Sequence, residues 1–356
     1  MDGGGPLKIR VAQVGPDPAS PGGMPAVIGA LLQSPLADRF KLEAIPTYRD
    51  SRPVRRLLLF TVSVLALTRW CARPGLRIVH VHMAARGSMY RKAFVVGVAK
   101  AMRRPAILQI HAGPGDLEEF IDRLGPLRRR ILRTTLEMSD FVLSVSTSGA
   151  EVLNRLSDAE IEVVPNPPPQ IARRESPIEP EANGREVSVL YLGGFADPAK
   201  GGAVLLDALP SLLAGRADVR VVLAGPGEGP GSLPERVLWD GFLAESEKNR
   251  ALEEADLFVM PSLSEGMPIA LLEAMAYGLP IVASRVGAVP EILTDGLDAA
   301  LVDPGDAEQL AEALAHLLAA PARREALGKA AEERARRLAD NDVYGQLGRI
   351  YLDAVR

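Results

Sequence analysis

The sequence predicts an α/β protein of two doubly wound domains, each a parallel sheet with helices on both faces, whose ligands bind at the carboxyl ends of the strands in the cleft between the domains. Three observations carry the prediction. Strand-like apolar runs alternate with helix-length segments through both halves of the chain, and a stretch rich in Pro and charge separates the halves. The 356 residues suffice for two cores of ordinary size. With 47% hydrophobic and 24% charged residues, the composition is that of a folded globular protein and excludes disorder as a class.

In the first half the strand-like runs are KIRVAQV, KLEAI, RIVHVHM, AILQIHA and DFVLSVS. After the first of them Gly22 and Gly23 open a helix, where the lack of a Cβ lets backbone approach a phosphate or a sugar. Residues 52–75 form an apolar helix candidate with arginines at both ends. It reads first as a core helix packed on the sheet, and the lack of acidic residues nearby also suits a segment lying in a lipid interface. His80 and His82 flank Val81 and are expected on alternate faces of their strand, which argues against a metal pair. Ser88, Arg91 and Lys92 follow in a basic turn at the strand's carboxyl end, an acceptor-side loop or a solvated turn. His111 ends the fourth run, where its imidazole can donate a hydrogen bond to a sugar or to a reaction centre. Residues 163–184 read as the interdomain linker, giving domains at 1–170 and 171–339, with a last helix at 340–356.

The second half repeats the alternation with VSVLYLG, VRVVLAG, RVLWDGF, DLFVM, PIVAS and AALV. Between the first two runs, Gly193 and the pair Lys200-Gly201 make a phosphate loop in which Lys200 supplies a point charge. No G-x-G-x-x-G follows the first strand of either half. The stretch around which the chain is organised is PSLSEGMPIALLE, residues 261–273, which follows the short buried strand DLFVM (256–260): a Ser-rich turn, then a helix with Pro268 at its first position. Free N–H groups at that helix start suit a phosphate. Glu265 and Glu273 frame the turn; a carboxylate repels a diphosphate, so these two suit neutral hydroxyls on either side of it, which describes a nucleotide sugar. Asp340-Asn341-Asp342 precedes the last helix as an N-cap, and no metal site is assigned.

EGMPIALLEAMAYGLPIVAS followed by VGAVPEI resembles the donor-site signature of family 4 glycosyltransferases, retaining enzymes of the GT-B fold, which has two Rossmann-like domains facing an interdomain cleft. The resemblance implies that Glu273 binds the donor ribose, that Glu265 binds the transferred sugar, and that amides around Gly266, Met267, Pro268 and Ile269 contact the diphosphate. It further implies that Gly22 and Gly23 lie against the diphosphate and sugar, and that His111 faces the sugar. Gly193 and Lys200 fall in the family's phosphate loop, and Phe242 and Leu243 where the nucleobase lies. The chain departs from the family at Gly194, the usual place of a second phosphate-binding arginine, for which Arg285 is a candidate replacement.

The function expected is metal-independent, retaining transfer of a hexosyl group from a nucleoside diphosphate sugar to a hydroxyl, with His111, Glu265 and Lys200 as catalytic residues and no cofactor beyond the donor. A non-catalytic nucleotide-sugar binding protein and a sugar-nucleotide epimerase are the alternatives. Charge points to the acceptor. Residues 1–172 carry 23 Lys and Arg against 15 Asp and Glu, whereas 173–356 carry 18 against 30. The ten basic residues between 51 and 100 meet no acidic one. A basic, partly apolar first half suits an anionic lipid-linked saccharide, hence a membrane-surface role in cell-surface or extracellular polysaccharide synthesis rather than nucleic-acid binding. One cysteine, no start resembling a signal peptide, and no apolar run near the roughly 20 residues of a spanning helix place the expected protein in the cytoplasm, peripheral to the inner face of the plasma membrane.

Overall fold

The computed structural model describes residues 8–49, 53–85, 88–167, 186–214 and 216–356. Arg52 and residues 168–185, most of the expected linker, lie outside them. The chain forms two compact units, Met1–Pro167 with Asp342–Arg356, and Pro168–Asn341.

The first unit holds six strands: β1 (Arg10–Pro16), β2 (Lys41–Tyr48), β3 (Arg77–Met83), β4 (Ala106–Ile110), β5 (Phe141–Ser144) and β6 (Ile161–Val163). All pairings are parallel, in the order β2-β1-β3-β4-β5-β6. Strand β6 is not among the expected runs. Three residues at a sheet edge are too short to display a period, and the proline-rich stretch that follows hides them. The order reverses between β1 and β3, so the loops following these two strands diverge there and leave a crevice, which is the ligand position of open parallel sheets. Those loops carry Gly22 and Gly23 on one side and lead into Ser88, Arg91 and Lys92 on the other.

The second unit repeats the plan with β7 (Val187–Leu192), β8 (Val219–Ala224), β9 (Val237–Gly241), β10 (Leu257–Met260), β11 (Ile281–Ser284) and β12 (Ala300–Val302), again all parallel. Their order is β12-β11-β10-β7-β8-β9, with the reversal between β7 and β10. Strands covered on both faces read as unbroken apolar runs, and VSVLYL and LFVM are buried along nearly their whole length.

Two helices of the first unit bear on function. Pro53–Ala72 buries Leu67, Trp70 and Cys71 against the sheet, yet leaves Leu57, Leu58, Val62 and Leu65 each at least 60% exposed. It is therefore a core helix on one face only, with an apolar stripe on the other. Among the described residues no helix is long and apolar enough to cross a membrane. The last helix, Val343–Asp353, starts at Asp342, whose carboxylate accepts from the Gly345 N–H at 2.7 Å. It packs in the first unit, where Tyr351 is fully buried, edge-on to Phe40 at 5.2 Å between ring centres.

Candidate functional site

The reversal of the second sheet brings two loops together. After β7 the chain makes a short turn, Pro198–Lys200, with the Asp197 carboxylate accepting from the Ala199 N–H, and then enters the helix Gly202–Leu213 through Gly201 at φ 68°. After β10 the loop crosses directly over it. Leu263 N–H donates to the Ala199 carbonyl at 2.8 Å, and a Cβ on Gly201 would lie 1.8 Å from the Pro261 carbonyl oxygen. Glycine at 201 is thus required twice, for the left-handed backbone and for the crossing. A second clamp comes from the loop after β11. Ala288 N–H donates to the Gly266 carbonyl at 2.9 Å, and Gly287, at φ 55°, passes so near the Glu265 carbonyl that a Cβ would lie 1.9 Å from it. This is the structural reason for the VGAV sequence.

The clamped loop holds Glu265 inward and buried. Lys200 Nζ bridges its two carboxylate oxygens at 2.9 and 3.0 Å, and Ser262 Oγ donates to the first at 2.8 Å. The helix that follows runs Ile269–Ala276, and Pro268 is its N-cap in extended backbone (φ −74°, ψ 120°), one residue before the first helical position expected for it. The first intrahelical bond runs from Leu272 N–H to the Pro268 carbonyl, so the N–H groups of Ile269, Ala270 and Leu271 have no intrahelical acceptor. Gly266, Met267 and Pro268 are buried beneath them.

One turn further on, Glu273 is 6% exposed, and Lys248 Nζ lies 2.5 Å from its carboxylate while also reaching Glu245 at 3.0 Å. Burial pushes the Glu273 carboxyl above its ordinary value, and Lys248 pulls it back only in part. Burial also disfavours the charged form of Lys248, but Glu273 and Glu245 outweigh it and leave the ammonium above its usual value. Lys248, from the helix Glu245–Glu254, is a residue the sequence does not mark, since it belongs to no motif and meets Glu273 only in the folded unit.

Gly193 cannot carry a side chain, because a Cβ would lie 2.5 Å from the Tyr191 hydroxyl oxygen. At Gly194 a Cβ would sit 3.1 Å from the Pro226 carbonyl, so the neighbouring loop closes on the place where the family carries its arginine. Arg285, the candidate replacement, is paired with Asp295 at 2.8 Å and Asp303 at 3.6 Å. Phe242 is largely exposed after β9 and Leu243 is half-buried.

His111, Gly22, Gly23, Ser88, Arg91 and Lys92 belong to the first unit. Gly22, at φ 126°, is the exposed N-cap of the helix Gly23–Gln33. His111 follows β4, half-buried, with Nε2 3.0 Å from His82 Nδ1. His80 and His82 do not alternate faces. Residues two apart in a strand share a face, and the two rings are buried side by side with centres 4.4 Å apart. Burial holds His80 down to about 3, His111 to about 4 and His82 well below its ordinary value, so all three rings are neutral at pH 7.

Lys92 is not a solvated turn residue either. It lies in the helix Ser88–Ala101, 2% exposed, donating to Thr47 Oγ1 at 2.6 Å and to the Val14 carbonyl at 3.2 Å. Burial lowers its ammonium to about 7. The helix period turns it toward the sheet, whereas Arg91, half-buried, stacks on Tyr48 at 5.2 Å, as does Arg56 at 5.5 Å.

Two families account for most of the chain: residues 7–167 match the "Glycosyl transferase 4-like domain" and residues 186–320 match "Glycosyl transferases group 1". The chain is 37% identical over 171 residues to the phosphatidyl-myo-inositol mannosyltransferase of Mycobacterium leprae, a match covering 46% of each protein, so the chain spans about half the length of that relative. The fold is that of sucrose-phosphate synthase from Thermosynechococcus elongatus (TM-score 0.76, 20% identity, 97% of this chain and 99% of that one). It is also that of Anabaena HepE in complex with UDP and glucose (TM-score 0.72, 15% identity, 97% and 100%). Matched along both units and folded as its sequence signature implies, the chain belongs to family 4 of the glycosyltransferases and has the GT-B fold.

Proposed function

We propose that the protein is a retaining glycosyltransferase that moves a hexosyl group from a nucleoside diphosphate sugar to a hydroxyl acceptor without a metal. The observation that carries this reading is the meeting of Lys200 with Glu265 beside the free N–H groups at the start of the helix Ile269–Ala276. A cation and unpaired amides suit a diphosphate, and a buried carboxylate on each side suits the hydroxyls of sugar and ribose. The Lys200–Glu265 pair is then the resting arrangement, in which the diphosphate competes for the ammonium while sugar hydroxyls donate to Glu265. The sugar's bond to the leaving phosphate oxygen breaks as its bond to the acceptor oxygen forms on the same face. The departing phosphate oxygen takes the acceptor proton, and Lys200 and the amides stabilise its charge.

The acceptor side is assigned to the first unit, with Ser88 and Arg91 at its switch point and Lys92 supporting them from below. The exposed stripe Leu57, Leu58, Val62 and Leu65, flanked by Arg55, Arg56 and Arg69, favours an acceptor embedded in an anionic leaflet. The phosphatidyl-myo-inositol for which the mycobacterial relative is named is a lipid of that class and supports the same reading. The protein accordingly works at the cytoplasmic face of a membrane, in glycolipid or cell-surface polysaccharide assembly.

A panel of nucleotide sugars with lipid-linked and soluble acceptors tests the reading. Glycosylated acceptor with retained anomeric configuration is the expected product; donor binding without turnover, or isomerised donor alone, would overturn it.

A further inference from the structure

The polar groups beneath His111 form one unbroken chain. His82 Nδ1 lies 3.0 Å from His111 Nε2, and His82 Nε2 lies 2.8 Å from Gln13 Oε1. Gln13 Nε2 then donates to the Tyr351 hydroxyl at 3.0 Å, and that hydroxyl lies 2.8 Å from His80 Nδ1. Gln13, His80, His82 and Tyr351 are all buried. A buried polar group left unpaired is costly, so each link must hold one proton.

A neutral imidazole carries a single N–H, so every link fixes the next. With its amide nitrogen on Tyr351, Gln13 offers His82 an oxygen, and His82 must carry its proton on Nε2. His82 Nδ1 is then bare and His111 must donate from Nε2, leaving His111 Nδ1 as an acceptor. At the far end Tyr351, having accepted from Gln13, donates to His80 Nδ1, and the His80 proton sits on Nε2. His80 Nε2 and Gln109 Oε1 are both buried with no hydrogen-bond partner. The direction of the chain is set by the Gln13 amide, whose nitrogen donates to Tyr351 on the last helix and whose oxygen faces His82.

We propose that Tyr351, Gln13 and His82 are positioning residues that hold His111 in a single tautomer, proton inward on Nε2 and Nδ1 outward as an acceptor. The catalytic bearing of this rests on the reading that His111 faces the transferred sugar. In that place the ring accepts from a sugar hydroxyl and does not donate to the reaction centre.

The chain has four histidines, and the fourth, His316, is exposed and serves as the reference. Long-range proton–nitrogen NMR on the full chain with 15N-labelled histidine, assigned by single His→Gln substitutions, reads each tautomer directly. The expected result is His111 protonated on Nε2 alone, and signals of mixed or reversed tautomer in Tyr351→Phe, which keeps the ring that packs on Phe40, and in Gln13→Met. A wild-type His111 protonated on Nδ1, or His111 signals unchanged in both variants, would overturn the proposal. Turnover is expected to fall roughly tenfold in the same variants with the donor KM little changed. A tautomer that shifts while turnover holds would leave the relay standing and remove His111 from the sugar.

Discussion

The two sheets end in loops of opposite electrical character. At the reversal of the second sheet each buried carboxylate has a cation: Glu265 has Lys200, and Glu273 has Lys248. At the reversal of the first sheet, besides the buried Asp17 carboxylate paired with Arg49, the polar groups are three neutral imidazoles, two of them fully buried, and an amine whose bonds go to uncharged oxygens. Paired charges can exchange partners with an incoming anion or hydroxyl, which suits the second unit to the donor role proposed for it. A neutral network has no charge to exchange; it holds direction, which suits the histidines of the first unit to the orienting role proposed for them.

The contrast is tested most strongly at the reacting centre. Glu265→Gln and His111→Ala are each expected to lower turnover about a hundredfold, while affinity for the free nucleoside diphosphate, measured by titration calorimetry, stays within a factor of two to three of wild type in His111→Ala and is equal or tighter in Glu265→Gln, which frees Lys200. Normal turnover in either variant would remove that residue from the sugar. For Glu273→Ala the loss should be in binding instead, about 1.5–3 kcal/mol of nucleotide affinity, and unchanged affinity in a folded variant would take Glu273 out of the site.

Lys92 probes the first unit without touching a ligand. Its folded pKa of about 7 lies below the ordinary 10.5, so between the two values the unfolded chain binds a proton that the folded chain does not. Stability should therefore rise from pH 7 toward pH 10, by at most about 1.4 kcal/mol per pH unit, and fall as the pH drops back through that window. Lys92→Met should abolish the slope in denaturant titrations; an equal slope in the variant would mean that another group titrates there.

A smaller effect separates the two members of the second unit's inner pair. Glu273 accepts more strongly from ribose when ionised, and burial already raises its pKa while Lys248 lowers it. Nucleotide affinity should decline as the pH falls through that raised value, and Lys248→Met should move the decline to higher pH. Coincident profiles would show that Lys248 does not act on Glu273. The mildest expectation concerns the apolar stripe: sedimentation with anionic vesicles should weaken as salt rises and in a variant with Arg55 and Arg56 both changed to Gln, and equal recovery with neutral vesicles would count against a membrane role.

Much of this architecture is readable without coordinates, for a local reason. The alternation of strands and helices, the strand-loop-helix at 257–276 and the glycines that open helices are patterns within a dozen residues, where the backbone period and turn chemistry leave few options. Local pattern fails where a period is miscounted or absent. His80 and His82 share a face because the pleat repeats every second residue, and β6 is too short to show any repeat. Lys92 reads as part of a basic turn, and only the helix it begins turns its ammonium into the sheet.

By itself, then, the sequence determined the fold class, the family and the carboxylates that frame the turn of the second unit, since these depend on contiguous residues. The tertiary structure decided what each buried charge is paired with. Lys200 reaches Glu265 across 65 positions, Lys248 reaches Glu273 across 25, and Gln13 reaches Tyr351 across 338. Such partners meet because parallel crossovers return each strand to the same edge of its sheet, and burial there demands a partner for every polar atom. Which atom answers that demand is a property of the closed loops, and no spacing along the chain encodes it.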